Sequence, residues 1–569
     1  MGIVWWLQTD KGTGVDMKSK RSSSFYLGSR RVWLLVMTAG WSLWMNGCAS
    51  WGFGQGSDAL TNEVGAESLF SEAELDYEVP VSVPNILVNQ LGYLPDSEKM
   101  AVFRGEELPE TFQIIDAKTG EAVFEGTLED RGYNTYFEEY NSYGIFTEVT
   151  KPGNYYVEAQ VVGRSYFFTI ESGLYNPVAR DAVKQYYFNR CGITLTGEYA
   201  GERSHSACHT QKVPFRDNAE ESLDVSGGWH QDQNGSKDLV RACSVVNTLL
   251  LAYELNEGAF GDDGAIPESG NLIPDLLDEI RYEIDWLLKM QDVGTGGVFA
   301  GISVYRTDET SETAYIEPIS PEATQMYCAA MAKFSYLYQG FDSIYATDCL
   351  KAADRAWRYL ENNISDPSGE GYFLAATEMY RASGYQTYHR VITQYLKQPQ
   401  GGILNSEVSG NNSNSNDSSS ANEVSINENV MMGYVTYLST KKYVDKNLCS
   451  EIMKIIMSEA EGIAARTRQS PYLTAGNRQQ DNNTELLTDM FYLSIVNHII
   501  RNHEYGTVIE NHLHYLMGRN SEGISYIDGI GAKNYLEIEV RLGIMNQIEP
   551  DSKLIFMLSE IKSNSDQIE

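Results

Sequence analysis

Near Asn176 the periodicity of the sequence changes, and no other feature constrains the fold as strongly. Upstream, apolar residues come in short runs: Asn85-Ile86-Leu87-Val88, Phe112-Gln113-Ile114-Ile115, Ala122-Val123-Phe124, Tyr155-Tyr156-Val157 and Tyr166-Phe167-Phe168-Thr169-Ile170. Turns such as Lys118-Thr119-Gly120 and Lys151-Pro152-Gly153-Asn154 separate them. Short strands between Gly/Pro turns describe a β-sandwich. Downstream, apolar residues recur every three or four positions. Residues 239–255 form one such stretch. Ile273-Pro274-Asp275 opens another, with Leu276, Leu277, Ile280, Ile284, Leu287 and Leu288 on its apolar side and Lys289 near its end. Further helical patterns cover 321–338, 345–362, 371–382, 427–440, 447–466, 484–501 and 506–517, and the Asn/Ser tract 410–420 reads as a polar insertion. The expectation is a multidomain chain: a small all-β sandwich at 81–172 and an all-α domain at 174–569.

The first 80 residues do not belong to that fold. Lys18, Lys20, Arg21, Arg30 and Arg31 precede an apolar run at 32–45, too short for a stop-transfer helix, so the segment reads as a secretory signal. It ends in Met45-Asn46-Gly47-Cys48-Ala49-Ser50, which resembles a bacterial lipoprotein cleavage box. The expectation is a signal over 1–48, a lipid anchor on Cys48 strong enough to hold the chain to the membrane, and a polar, acidic linker over 49–80. This would place the folded body outside the cell, on the bacterial surface. Six of the nine Trp lie at or before Trp51, leaving Trp229, Trp286 and Trp357.

Lys+Arg 43 against Asp+Glu 78 gives a net charge of −35. A surface so acidic repels nucleic acid but not a neutral partner such as a sugar polymer.

Asn89-Gln90-Leu91-Gly92-Tyr93-Leu94-Pro95 resembles the opening of the immunoglobulin-like domain that precedes family 9 glycoside hydrolases. Asn189-Arg190-Cys191-Gly192, Ala207-Cys208-His209, Asp224-Val225-Ser226-Gly227-Gly228-Trp229, Ile266-Pro267-Glu268-Ser269-Gly270-Asn271, Pro274-Asp275-Leu276-Leu277-Asp278-Glu279 and Tyr515-Leu516-Met517-Gly518-Arg519-Asn520 resemble motifs of the hydrolase domain, in the family's order. The resemblance implies an immunoglobulin-like sandwich followed by an (α/α)6 barrel of twelve helices. It also implies inverting hydrolysis of β-1,4-glucan or a related polysaccharide. In such chemistry one carboxylate activates water while a carboxylic acid protonates the leaving oxygen, the two standing about 6.5–9.5 Å apart.

The catalytic motifs depart from the family's pattern. The base loop, in the family Trp, any residue, then Asp-Ala-Gly-Asp, here reads Trp229-His230-Gln231-Asp232-Gln233-Asn234-Gly235. In register the two aspartates become Gln231 and Asn234, and an amide cannot take a proton from water. Asp232, one residue out of register, is the candidate base, with Asp238 a more distant one. Glu539, in Tyr535-Leu536-Glu537-Ile538-Glu539, is the candidate acid. Asn546-Gln547 followed by Ser552-Lys553-Leu554-Ile555-Phe556 can be aligned to the same motif, which makes Gln547 the acid position, with Glu549 nearby. Gln479-Gln480-Asp481-Asn482-Asn483 stands where the family has an aromatic segment.

Cys191, Cys208 and His209 are candidate ligands of a structural Zn²⁺, as the resemblance also implies, with His230 or His205 as the fourth. Asp262, Asp263 and Glu268 are weaker candidates for Ca²⁺. Two function classes stand: a divergent hydrolase with a shifted carboxylate pair, and a carbohydrate-binding or scaffold lipoprotein that kept the barrel and lost the base.

Overall fold

A computed structural model describes residues 83–232, 234–308, 311–364, 369–398, 426–475, 483–527, 529–532 and 548–565. All lie in one compact unit, 73–569. The signal, Cys48 and the whole linker over 49–80 are outside the described residues.

Nine strands build the sandwich: β1 (Ile86–Leu87), β2 (Gly92–Tyr93), β3 (Met100–Arg104), β4 (Thr111–Asp116), β5 (Ala122–Asn134), β6 (Glu139–Ile145), β7 (Gly153–Ala159), β8 (Gly163–Arg164) and β9 (Phe168–Ile170). They follow the order β1-β3-β6-β5-β4-β7-β9-β2, with β8 on β7. The 13-residue β5 joins the two layers: Ala122 to Thr127 pair with β4, and Leu128 to Asn134 pair with β6. Alternation drives the layers together. Phe112 and Ile114 of β4 and Tyr155, Val157 and Ala159 of β7 turn inward onto Phe103, Phe146 and Phe168.

After the sandwich come α1 (Asn176–Phe188), the single turn α2 (Gly197–Ala200), β10 (Val213–Pro214), β11 (Ser222–Leu223), β12 (Lys237–Asp238), α3 (Leu239–Leu255), α4 (Asp275–Lys289), and the hairpin β13 (Gly301–Asp308) with β14 (Ser311–Ile316). The rest is helical: α5 (Pro321–Tyr338), α6 (Ser343–Asn363), α7 (Glu370–Ser383), α8 (Gln386–Leu396), α9 (Glu428–Ser439), α10 (Lys446–Gln469), α11 (Asn483–Ile500), α12 (His503–Leu516) and α13 (Ile548–Ser565). Leaving α2 aside, twelve α-helices are described, as an (α/α)6 barrel requires.

The helices sort into two rings by burial. In α3 every residue from Val245 to Tyr253 is buried, and α5, α7 and α9 are buried nearly as fully. A helix apolar on all sides belongs inside. Accordingly α3 packs on α5, α5 on α7, α7 on α9, α11 on α13, and α13 back on α3. By contrast α6 and α10 bury one stripe each, such as Leu448, Ile452, Ile456, Ala460 and Ile463 of α10, and form part of the outer ring. Local chemistry sets the ends. Ser320 caps α5 by accepting from the Ala323 amide, with Pro321 at the first turn, and α7 stops at Gly384 in the left-handed region.

Two of the motifs meet at the joint between sandwich and barrel. The Gln90 amide donates to Met517 O (2.8 Å), Gln90 Nε2 donates to Gly523 O (2.8 Å), and Ala532 N donates to Gln90 Oε1 (2.9 Å). Asn89 Nδ2 reaches His514 Nδ1 at 3.0 Å. A Cβ on Gly518 would lie 2.4 Å from Gln90 Nε2, so this loop admits Gln90 only because position 518 is glycine.

Candidate functional site

The site is built where two loops pair in front of α3. Cys191 N donates to Gly228 O and His230 N donates to Asn189 O, both at 2.8 Å, an antiparallel bridge that sets Cys191 beside His230. A second bridge, Leu195 with His205, folds 195–208 back, so that Cys208 and His209 arrive at the same place. The four ligand atoms of Cys191, Cys208, His209 and His230 all lie within 4.8 Å of one another. His230 Nε2 is 3.3 Å from His209 Nδ1, Cys208 Sγ is 3.5 Å from His230 Nε2, and Cys191 Sγ is 3.6 Å from His209 Nδ1. Tetrahedral zinc with Zn–S of about 2.3 Å and Zn–N of about 2.05 Å has N···N edges of about 3.4 Å and S···N edges of about 3.6 Å. The donor set and its spacing therefore fit that ion. The Cys191 thiol, as hydrogen-bond donor, holds the Cys208 sulfur well below the usual thiol range, with His209 and His230 adding to the effect. Metal ligation needs that thiolate. His205 turns away, its Nδ1 2.8 Å from Ser206 O.

Behind this cluster lie Glu283 and Lys237, which the sequence does not single out, together with Arg190, Glu268 and Glu279 of its motifs. Glu283 of α4 is fully buried, and its Oε2 accepts from the Trp229 amide at 2.7 Å. Burial pushes its carboxyl up to about 8, Lys237 acting in the opposite sense. Lys237 donates to Gly227 O and lies over the Trp286 ring. Arg190 makes a bidentate pair with Glu268 (2.9 and 3.0 Å) and also reaches Glu279. The weak signal for these groups is spacing, since Glu279 and Glu283 stand four apart on one face of α4.

Asp232 is exposed at the tip of the loop. Its Oδ1 accepts from the amides of Asn234 (2.8 Å) and Ser236 (2.9 Å). Burial acts upward, but hydrogen bonds led by Ser236 outweigh it and hold the carboxyl below its usual value. Gln231 is a strut: its Nε2 donates to Asp238 O and its Oε1 accepts from Asp238 N, both at 2.8 Å. Asp238 caps α3 through the Arg241 amide. Asn234 is exposed, while Glu539 and Gln547 lie outside the described residues. Two of the three calcium candidates are engaged elsewhere. Both Asp262 oxygens accept from backbone, at Gly270 and Leu272, and Glu268 belongs to Arg190.

The three remaining Trp are core, each no more than 3 % exposed. Exposed aromatic surface near the loop comes instead from the β13–β14 hairpin. Ser236 Oγ accepts from Val304 N, tying the hairpin to the loop, and Tyr305 is 51 % exposed on its outer face beside the Arg216–Glu317 pair.

The description "Glycosyl hydrolase family 9" matches residues 175–553, and "Cellulase N-terminal ig-like domain" matches 82–164. The chain belongs to glycosyl hydrolase family 9, as a divergent glycoside hydrolase of the cellulase type behind an immunoglobulin-like domain. It is 26 % identical to a cellodextrinase of Butyrivibrio fibrisolvens, across 82 % of this chain and 88 % of that one. It is also 26 % identical to a xyloglucan-specific endo-beta-1,4-glucanase of Bacteroides ovatus, across 82 % and 84 %. A solved family 9 structure from Bacteroides ovatus superposes with a TM-score of 0.72 at 21 % identity, covering 85 % of this chain and all of that one.

Proposed function

We propose that the chain acts on β-1,4-linked glucan or a closely related polysaccharide by inverting hydrolysis, with Asp232 as base and Glu539 as acid. The observation that carries the reading is the state of Asp232. It is an exposed carboxylate in the family's base loop, held ionised by hydrogen bonds from Ser236 and Asn234. Tyr305, half-exposed on the hairpin that Ser236 ties to this loop, offers aromatic surface for a sugar ring. The names of the curated relatives, a cellodextrinase and a xyloglucanase, support the substrate class. Zn²⁺ on Cys191, Cys208, His209 and His230 holds the loops beneath, a structural role because four protein ligands leave no open position. The signal and Cys48 favour display at the bacterial surface through a lipid anchor. Among the described residues no helix is long and apolar enough to cross a membrane.

A second reading, a barrel that binds glycan without cleaving it, is favoured by Gln231 and Asn234 in the base register. It is favoured also by α13 starting at Ile548, since the segment Ser552-Lys553-Leu554-Ile555-Phe556 then forms one helix directly after Gln547. The two separate in one assay series on soluble β-glucan. Hydrolysis by Asp232 and Glu539 requires Asp232→Asn and Glu539→Gln each to lose about 10²–10⁴ in rate. Rates unchanged in both variants reject the pair. A wild-type chain inactive on every β-glucan, yet retarded by it in a gel, establishes the second reading.

A further inference from the structure

The end of the barrel away from the base loop has a chemistry of its own. The six inner helices finish level there, because side chains near their last turns bond one another. Arg381 of α7 reaches Glu254 of α3, Thr436 of α9 donates to Glu378 of α7, and Lys333 of α5 faces both carboxylates. Asn497 of α11 donates to Glu560 of α13, and Asn256, just after α3, donates to Ser559 of α13. The base loop and Asp238 enter α3 at its opposite end, the mouth, about 25 Å away for a helix of 17 residues.

Every turn that joins an inner helix to the next outer one at this end carries an exposed apolar side chain. Leu272 (88 % exposed) stands before α4, Ile344 (77 %) lies in the first turn of α6, Tyr385 (66 %) precedes α8, Tyr443 (70 %) lies between α9 and α10, and Ile500 ends α11. Exposing such side chains gains nothing in water. Leu272 is moreover held at φ +74°, where a branched side chain is strained, with its amide donating to Asp262 Oδ2 at 2.7 Å. Tyr443 is braced as well: Tyr380 OH donates to its carbonyl at 2.7 Å, and its ring stands 5.7 Å from that of His389. Lys441 and Lys442, exposed beside Tyr443, make no ion pair among the described residues, in a chain of net charge −35. Lys442 lies against Gly384, the neighbour of Tyr385. Protrusions carried singly on five turns do not make the continuous patch that a folded protein partner buries. They suit a fluid interface, where each inserts alone: aliphatic side chains at the acyl boundary, tyrosines at headgroup level, lysines on headgroup phosphates.

We propose that this end of the barrel is a lipid-contacting face, which lies on the bilayer surface and turns the mouth, with its base loop, away from the membrane. The choice of a bilayer rests on the reading of Cys48 as an anchor. Val83 lies by Gly523, in the loop after α12 and so near the mouth. The chain from Cys48 must therefore run the length of the barrel to let this face touch the membrane. From Cys48 to Val83 the chain reaches at most ~120 Å, several times the length of α3.

The test reads tryptophan fluorescence of the full chain in phosphatidylethanolamine–phosphatidylglycerol vesicles, with and without bromine on the acyl chains. Ile344→Trp and Tyr443→Trp each put an indole on this face, and Val293→Trp puts one on the exposed turn after α4, at the mouth end. Bromine should quench the added fluorescence of the first two and leave that of the third unchanged. Equal quenching at all three sites, or none at Ile344→Trp and Tyr443→Trp, overturns the proposal. A second measurement needs no anchor: flotation, with the same vesicles, of the chain from Ala49 onward, which keeps the whole compact unit 73–569. This chain should float, and Ile344→Asp combined with Tyr443→Asp should lower its partitioning about tenfold. Failure of the anchor reading looks different: mass spectrometry finds no diacylglycerol on Cys48, while the tenfold loss persists. A dimer that the double variant splits, with no vesicle binding, overturns the proposal and makes a second copy the occupant of this face.

Discussion

Gly235 and Glu283 show how single residues hold the site. Gly235 has φ +89°, and a Cβ there would lie 2.4 Å from Cε1 of His209. The left-handed backbone and the ring behind it both exclude a side chain. Gly235→Ala is expected to push the His209 ring out of the cluster, and metal analysis of the purified variant should find well under one zinc per chain. Stoichiometric zinc in the variant would show that the ring's place is not essential. Glu283 contributes to the pH dependence of stability, alongside Glu279 and Glu510, whose carboxyls burial raises to about 7. The folded value of Glu283, about 8, stands above the ordinary carboxyl value near 4.3, so the folded state binds the proton more tightly than the unfolded chain does. Its contribution to stability is full below pH ~4 and is lost as pH rises toward 8. Glu283→Gln should flatten the fall of Tm between pH 5 and 8, and parallel Tm curves for the two proteins would refute this origin.

At the level of elements, the loops over 189–209 and 227–236 contain little regular structure beyond two isolated bridges and the short turns after Leu195, and the Cys/His cluster lies where they meet. If zinc closes that cluster, chelation should lower Tm and open this region first, seen as new proteolytic cuts between 190 and 236 while α5 and α7 stay protected. Cuts spread evenly along the chain would count against it. The same elements show what can be read without coordinates. Helix α5 is legible because Ser320, Pro321 and a 3.6-residue period agree at one boundary. The four metal candidates are legible because thiols and imidazoles are scarce in this chain and chemically distinct. The β13–β14 hairpin escapes because Ile302 and Val304 alternate for too few residues between two long helices. Glu283 escapes because a Glu four residues from another Glu reads as a solvated helix face until the packing is known. The reacting carboxylates are the least legible part, since the family's register lands on amides and any replacement depends on how the loop bends.

Over the whole molecule, the inner ring is tied by charge as well as by apolar packing. Glu254 of α3, Lys333 of α5, and Glu378 and Arg381 of α7 form a buried cluster of two cations and two anions. Arg381 bonds Glu254 and Glu378 at 2.5 Å each, and Lys333 stands 3.7 and 3.6 Å from the same two carboxylates. Thr436 of α9 donates to Glu378 at 2.7 Å, so four successive inner helices share one network. Lys333, Glu378 and Arg381 are each no more than 2 % exposed. Such a cluster adds little over a well-packed apolar core, but removing one member leaves a buried charge uncompensated, which costs about 3–5 kcal/mol. Lys333→Met keeps most of the side-chain volume and leaves two carboxylates facing the single guanidinium of Arg381. Urea unfolding of this variant should lose about 3–5 kcal/mol relative to wild type. The loss should appear in every spectroscopic probe of the barrel together, because the cluster spans α3, α5, α7 and α9 rather than one helix. An unchanged midpoint, or a loss confined to one probe, would show that apolar packing alone closes the ring.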